Sequence, residues 1–311
     1  MSTLTKELDR YLTIRRSLGY GLGTTERNLR KFVAFAEGEN AECIGTALFL
    51  RWQETFGSAN RQTWAGRLGM VRLFANWLHC LDAKHEVPPQ GLIPGRYRRA
   101  RPYIYSDEEI CRIVETAAEL PSINGIRALT ISTLFGLIAV TGLRISEALS
   151  LNVADVDLDT GVLTLRRGKL GKARLLPVSD STTVRLIEYA AERDRLLGAP
   201  SKAFFVSDRG KRVTDCGARY NFATVCQSIG MRSMQKFNRH GRGPRIHDLR
   251  HTFAVRTLLN WYRTSKDPTR EMIKLTTYLG HTTPAHTYWY IEAVPELLDL
   301  ASRRLDAEVQ Q

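Results

Sequence analysis

The sequence predicts a mostly α chain with one small antiparallel β-sheet, divided into two domains. Three observations carry this. Apolar residues recur at helical spacing through residues 1 to about 80. A stretch punctuated by Pro and Gly, residues 83–105, then interrupts the pattern. Beyond it helical spacing resumes, switches once to a period of two between Val156 and Val178, and returns.

Four helices account for residues 1–82. Leu4, Leu8, Tyr11 and Leu12 mark the first, and Leu29, Phe32, Val33 and Ala36 the second, which starts near Thr24. A third runs from about Cys43 to Thr55. The fourth begins near Ser58-Ala59-Asn60 and places Trp64, Leu68, Val71, Ala75 and Leu78 on one stripe. Four short amphipathic helices make a small bundle. The linker 83–105 follows, with Pro88, Pro89, Pro94 and Pro102. Its basic run includes Arg96, Arg98, Arg99 and Arg101, which reads either as a solvated connector or as a strap along phosphates.

The second domain spans residues 106–294. It opens on a capping box, Ser106 with Glu109, ahead of a helix carrying Ile110, Ile113, Val114 and Ala117. The apolar run Ala128–Val140 is too short to span a bilayer and reads as a buried helix. Strands are expected at Val156–Leu158, Val162–Leu165 and Ala173–Val178, with turns at Asp159-Thr160-Gly161 and Gly168-Lys169-Leu170-Gly171. Helices return from about 180 to 300, broken by a basic loop, Met231–Arg245. The tail, 295–311, reads as a helix that packs at home or docks on a neighbour.

Composition narrows the function. The 311 residues hold 45 Lys and Arg against 32 Asp and Glu, a formal charge of +13. That excess favours a polyanion, with the nucleic-acid phosphate backbone the usual candidate. Five cysteines, an odd number with no CxxC, fit reduced thiols rather than a disulfide scaffold or a zinc ribbon. The N-terminus shows no apolar h-region. A cytoplasmic protein with no membrane partner is expected.

The chemistry-bearing residues lie in three signatures: Thr141–Leu149 with Arg144 and Glu147, His247–Ala254 with His247 and Arg250, and Leu279-Gly280-His281 followed by Tyr290. Two guanidiniums, Arg144 and Arg250, suit the non-bridging oxygens of a phosphodiester, because Arg stays charged and donates in a fork. His247 and Arg250 share a helix face, so His247 can hydrogen-bond the phosphate and handle a proton. His247 and His251 at i, i+4 raise zinc, but a guanidinium would sit beside the metal; His251 is expected to pack or hydrogen-bond locally. Tyr290 is the candidate nucleophile and Tyr288 its rival. Attack on phosphorus gives a phosphotyrosine ester that a hydroxyl can reverse, so neither metal nor ATP is needed. Lys169, at a turn tip, can protonate the leaving 5′-oxygen, with Lys172 as competitor.

This set resembles the tyrosine recombinases, the phage integrase and Xer-like family. Arg144 and Glu147 match its TGLR-x-SE-x-L motif, Lys169 its hairpin lysine, and His247 and Arg250 its H-x-L-R-H motif. His281 matches the LGH histidine and Tyr290 the nucleophile. The resemblance implies a helical, SAM-like core-binding domain over 1–82 and an α+β catalytic domain over 106–294. It further implies double-stranded DNA as partner, a tetramer on two sites, a 3′-phosphotyrosine intermediate and a C-terminal segment that docks on a neighbouring protomer. The basic run and Lys172 would then contact DNA. Two segments depart from the family pattern: the basic loop and the stretch Trp261–Lys274, expected to be less compact. A type IB topoisomerase and a DNA-binding protein without catalysis are the competing readings.

Overall fold

The structure, a computed structural model, describes residues 3–55, 60–95, 101–166, 173–198, 201–233, 243–264 and 267–309. The chain forms two compact units, Met1–Ala100 and Arg101–Gln311.

Among the described residues, the first unit holds four helices: α1 (Thr3–Ser17), α2 (Gly23–Gly38), α3 (Thr46–Glu54) and α4 (Arg61–His79). Leu8, Leu12, Phe32, Phe49, Trp52, Trp64 and Phe74 fill its centre. Trp52 and Trp64 meet edge to face, with centroids 5.2 Å apart. Asn60 caps α4, its side chain accepting from the Thr63 N–H at 2.8 Å.

In the second unit Tyr105, just ahead of the capping box, is buried, and its N–H donates to Thr252 Oγ1 at 3.0 Å. Its hydroxyl donates to the Arg245 carbonyl at 2.9 Å. The capping box then opens α5 (Asp107–Ala118), with both reciprocal bonds formed. The apolar run becomes α6 (Ile126–Thr141), whose Leu134, Phe135 and Ile138 lie at the heart of the largest core. α7 (Ile145–Ser150) follows.

Three short strands, β1 (Val156–Asp157), β2 (Val162–Leu165) and β3 (Arg174–Pro177), form an antiparallel sheet in that order. Leu163 pairs with Leu176 and Leu165 with Arg174, so one face of β2 and β3 packs on the core. The β1 strand ends at Asp157, short of the expected Leu158. The Asp157 carboxylate there accepts the N–H groups of Asp159 and Thr160, starting the turn.

Among the described residues, six helices follow: α8 (Asp180–Leu197), α9 (Asp215–Ser228), α10 (Ile246–Arg263), α11 (Pro268–Leu279), α12 (Ala285–Ala293) and α13 (Pro295–Val309). The expected loose stretch Trp261–Lys274 contains the end of α10 and the start of α11. Trp261 and Met272 are buried there, so its described residues are compact. α13 packs on its own α10 and α12, with Leu297 fully buried. Among the described residues, no helix is long and apolar enough to cross a membrane.

Candidate active site

α6 ends at Gly142, whose φ of 62° turns the chain left-handed. A Cβ there would lie 2.5 Å from the Phe253 ring, so only glycine fits. This turn delivers Arg144 to the start of α7. The Arg144 N–H donates to Glu147 Oε2 at 3.0 Å and its Nη1 to Oε1 at 2.8 Å. The same guanidinium reaches the end of α11, donating to the carbonyls of Leu279 at 3.3 Å and Gly280 at 3.0 Å.

Arg250 arrives from α10 and is 1% exposed. It donates to the Gly142 carbonyl and the Leu279 carbonyl, each at 2.7 Å. Its Nη2 also meets His281 Nε2 at 3.0 Å. Guanidinium has no acceptor, so His281 Nε2 accepts and Nδ1 carries the proton. That proton is donated to Thr287 Oγ1 at 2.8 Å. Arg144, Arg250 and His281 are thus gathered around one backbone turn, Leu279–Gly280. Tyr290 lies beside them on α12, its ring stacked on His281 at a centroid distance of 6.3 Å.

The chain matches the model of the phage integrase family over residues 105–296. The chain belongs to the phage integrase family. It is 41% identical to the integrase/recombinase y4rB of Sinorhizobium fredii, over 98% of each chain. It is 28% identical to the tyrosine recombinase XerC of Thermodesulfovibrio yellowstonii, over 75% of each. Its fold is similar to that of the Tn1549 transposon integrase solved with transposon right-end DNA, with a TM-score of 0.66, 13% identity, and 98% and 99% of the two chains covered. Its function is site-specific DNA recombination.

Electrostatics shape the recombinase's site. Burial pushes the Glu147 carboxyl up. The hydrogen bonds from Arg174 and from the Arg144 backbone, with the charges of both arginines, outweigh this and hold it below the ordinary range. Burial, then the charge of Arg144, bring Arg250 down to about 10; it stays charged at neutral pH. Burial, then the charge of Arg250, push His247 down to about 4. His247 is therefore a neutral imidazole at pH 7. Three guanidiniums, Arg144, Arg174 and Arg250, face one carboxylate. The surplus of two positive charges suits a phosphodiester whose charge grows in the transition state.

Two residues of this centre were not singled out from sequence. His251, expected to pack or hydrogen-bond locally, instead bonds to a residue distant in the chain, its Nδ1 3.1 Å from Tyr290 Oη. Its i, i+4 spacing from His247 was the available signal, and their rings meet edge-on at 4.6 Å. Arg174, in β3, donates a fork to Glu147 at 2.9 and 3.0 Å; nothing in its local pattern marked it. Tyr288 and Tyr290 sit differently. Tyr288 is 44% exposed and Tyr290 1%, but it is Tyr290 that contacts His251 and His281. Lys169, Lys172, Arg96, Arg98 and Arg99 lie outside the described residues, as does most of the loop Met231–Arg245. Arg101 is described and exposed.

Proposed function

We propose that Tyr290 is the nucleophile of this recombinase and that Arg144, Arg250 and His247 hold the scissile phosphate. The phenolic oxygen bonds to phosphorus while the bond to the 5′-oxygen breaks. The phenolic proton passes to a neighbouring imidazole, and Lys169 supplies a proton to the departing 5′-oxygen. A 3′-phosphotyrosine and a free 5′-hydroxyl remain. A 5′-hydroxyl from a partner strand reverses the step, regenerating the phenol and joining new ends. Glu147 supports Arg144, and His281 receives Arg250.

One observation carries this reading: both arginines donate to the Leu279–Gly280 turn beside His281 and Tyr290. Two guanidiniums held by backbone carbonyls are preorganised, and preorganised charge is the largest usual contribution to catalysis. Double-stranded DNA is the partner, in keeping with the charge of +13. Residues 1–82 bind one face of the duplex, the basic run with Arg101 and Lys172 adds phosphate contacts, and four protomers act on two sites in the cytoplasm. Trapping on a nicked duplex from the DNA flanking the gene tests the nucleophile. A covalent band lost with Tyr290→Phe and kept with Tyr288→Phe is expected; the reverse pattern would move the nucleophile to Tyr288. Joining of two sites in one reaction separates recombination from topoisomerase-like relaxation. Tight binding without any adduct would leave a DNA-binding protein without catalysis.

A further inference from the structure

Arg174 uses all three guanidinium nitrogens, and on two elements. Nη1 and Nη2 donate to Glu147 Oε1 and Oε2 at 2.9 and 3.0 Å. Nε donates to the Tyr278 carbonyl, in the last turn of α11, at 3.2 Å. Glu147 is the carboxylate that holds Arg144. The residues after Tyr278, Leu279 and Gly280, supply the carbonyls that hold Arg144 and Arg250. One side chain therefore ties together the two supports of the phosphate-binding arginines. Its own backbone is fixed, because Arg174 pairs with Leu165 in the sheet. Its side chain is only 17% exposed.

We propose that Arg174 is a positioning residue for phosphoryl transfer, locking Glu147 to the Leu279–Gly280 turn so that Arg144 and Arg250 face the scissile phosphate in register. This rests on the phosphoryl-transfer reading above. The physical reason lies in how Glu147 is shared. Its Oε1 accepts from both Arg144 and Arg174. A buried carboxylate left with one cation would draw that cation fully onto itself. With Arg174 present, Arg144 keeps its Nη2 on the Gly280 carbonyl and its side chain stays 29% exposed. Gly280 is built around this contact. At a φ of 64°, a Cβ there would lie 2.5 Å from Arg174 Nη1 and 2.7 Å from its Cζ. Lysine cannot replace the fork, because it is a single point charge.

The test compares single-turnover adduct formation on two duplexes. One has an ordinary scissile phosphodiester; the other has a methylphosphonate there, with a methyl group replacing one non-bridging oxygen and no charge to neutralise. The enzymes are wild type, Arg174→Lys and Gly280→Ala, each checked to be folded at the assay temperature and to bind the duplex with unchanged affinity; a lower unfolding midpoint is expected for Gly280→Ala, which holds Ala at a φ of 64°. On the phosphodiester both variants are expected to slow cleavage about 100-fold, the scale of an ångström-sized misplacement. On the methylphosphonate the variant and wild-type rates should converge, since correctly aimed guanidiniums have less charge to meet. Gly280→Ala reaches the same contact from the other side, so it carries the test if Arg174→Lys does not fold. An equal slowing on both duplexes would overturn the proposal and leave Arg174 a general brace. No slowing on either would also overturn it. A wild type that forms no adduct on the phosphodiester would instead sink the phosphoryl-transfer reading itself.

Discussion

His247 shows how one residue's surroundings set its chemistry. Burial and the Arg250 charge hold it neutral down to about pH 4, so at pH 7 it is ready to donate one N–H to a phosphate oxygen. The same shift affects stability. The unfolded imidazole, near 6.5, takes up a proton before the folded one, so stability is full above pH 6.5 and falls as pH drops towards 4. The loss attributable to His247 is up to about 3 kcal/mol. Urea unfolding at pH 7.5 and pH 4.5 should therefore show a steeper acid loss in wild type than in His247→Gln; parallel losses would refute the shift. At Tyr290, the 3.1 Å contact puts His251 in reach of the phenolic proton. His251→Gln should slow adduct formation on the order of 100-fold, the lower range for general-base catalysis, without weakening duplex binding. An unchanged rate would place the proton's route elsewhere. The motif residues were legible because their spacing carries them onto one helix face or one turn. Arg174 was not, since its partner Glu147 is 27 residues away and a two-residue period says nothing about which distant carboxylate a strand arginine meets.

At the scale of elements, the site depends on how helices end. Gly142 closes α6 and Gly280 follows α11, both left-handed, and each exposes a carbonyl to an arginine. Gly142→Ala puts a Cβ against Phe253 and Leu279 and forces a non-glycine residue to positive φ. The backbone cost alone is about 1–2 kcal/mol, so a lower unfolding midpoint is expected. Because Arg250 donates to the displaced carbonyl, cleavage should fall further than duplex affinity; a loss confined to affinity would separate the turn from catalysis. Helices were legible from period and caps, as Ser106 illustrates. The pieces between α8 and α9 were not. Ala203 and Val206 make only isolated bridges, to Asn152 and Arg212, and runs that short leave no alternation to detect.

At the scale of the whole molecule, the charge of +13 says more about the ligand than about the fold. Both units form their own cores, the first around Phe32, Trp52 and Trp64 and the second around Phe135, Phe222 and Leu249. The basic run sits where one unit gives way to the next, at Ala100 and Arg101. Phosphate contacts from that run have a measurable signature. Each one releases counterions, so the logarithm of affinity falls with the logarithm of salt with a slope of about −0.9 per contact. Replacing Arg96, Arg98, Arg99 and Arg101 together with Gln should make that slope shallower by about 3–4. The effect should be the same on target and non-target duplexes, because phosphates carry no sequence information. Filter binding or fluorescence anisotropy across a salt series reads it directly. A slope that stays unchanged would mean that the run is a solvated connector.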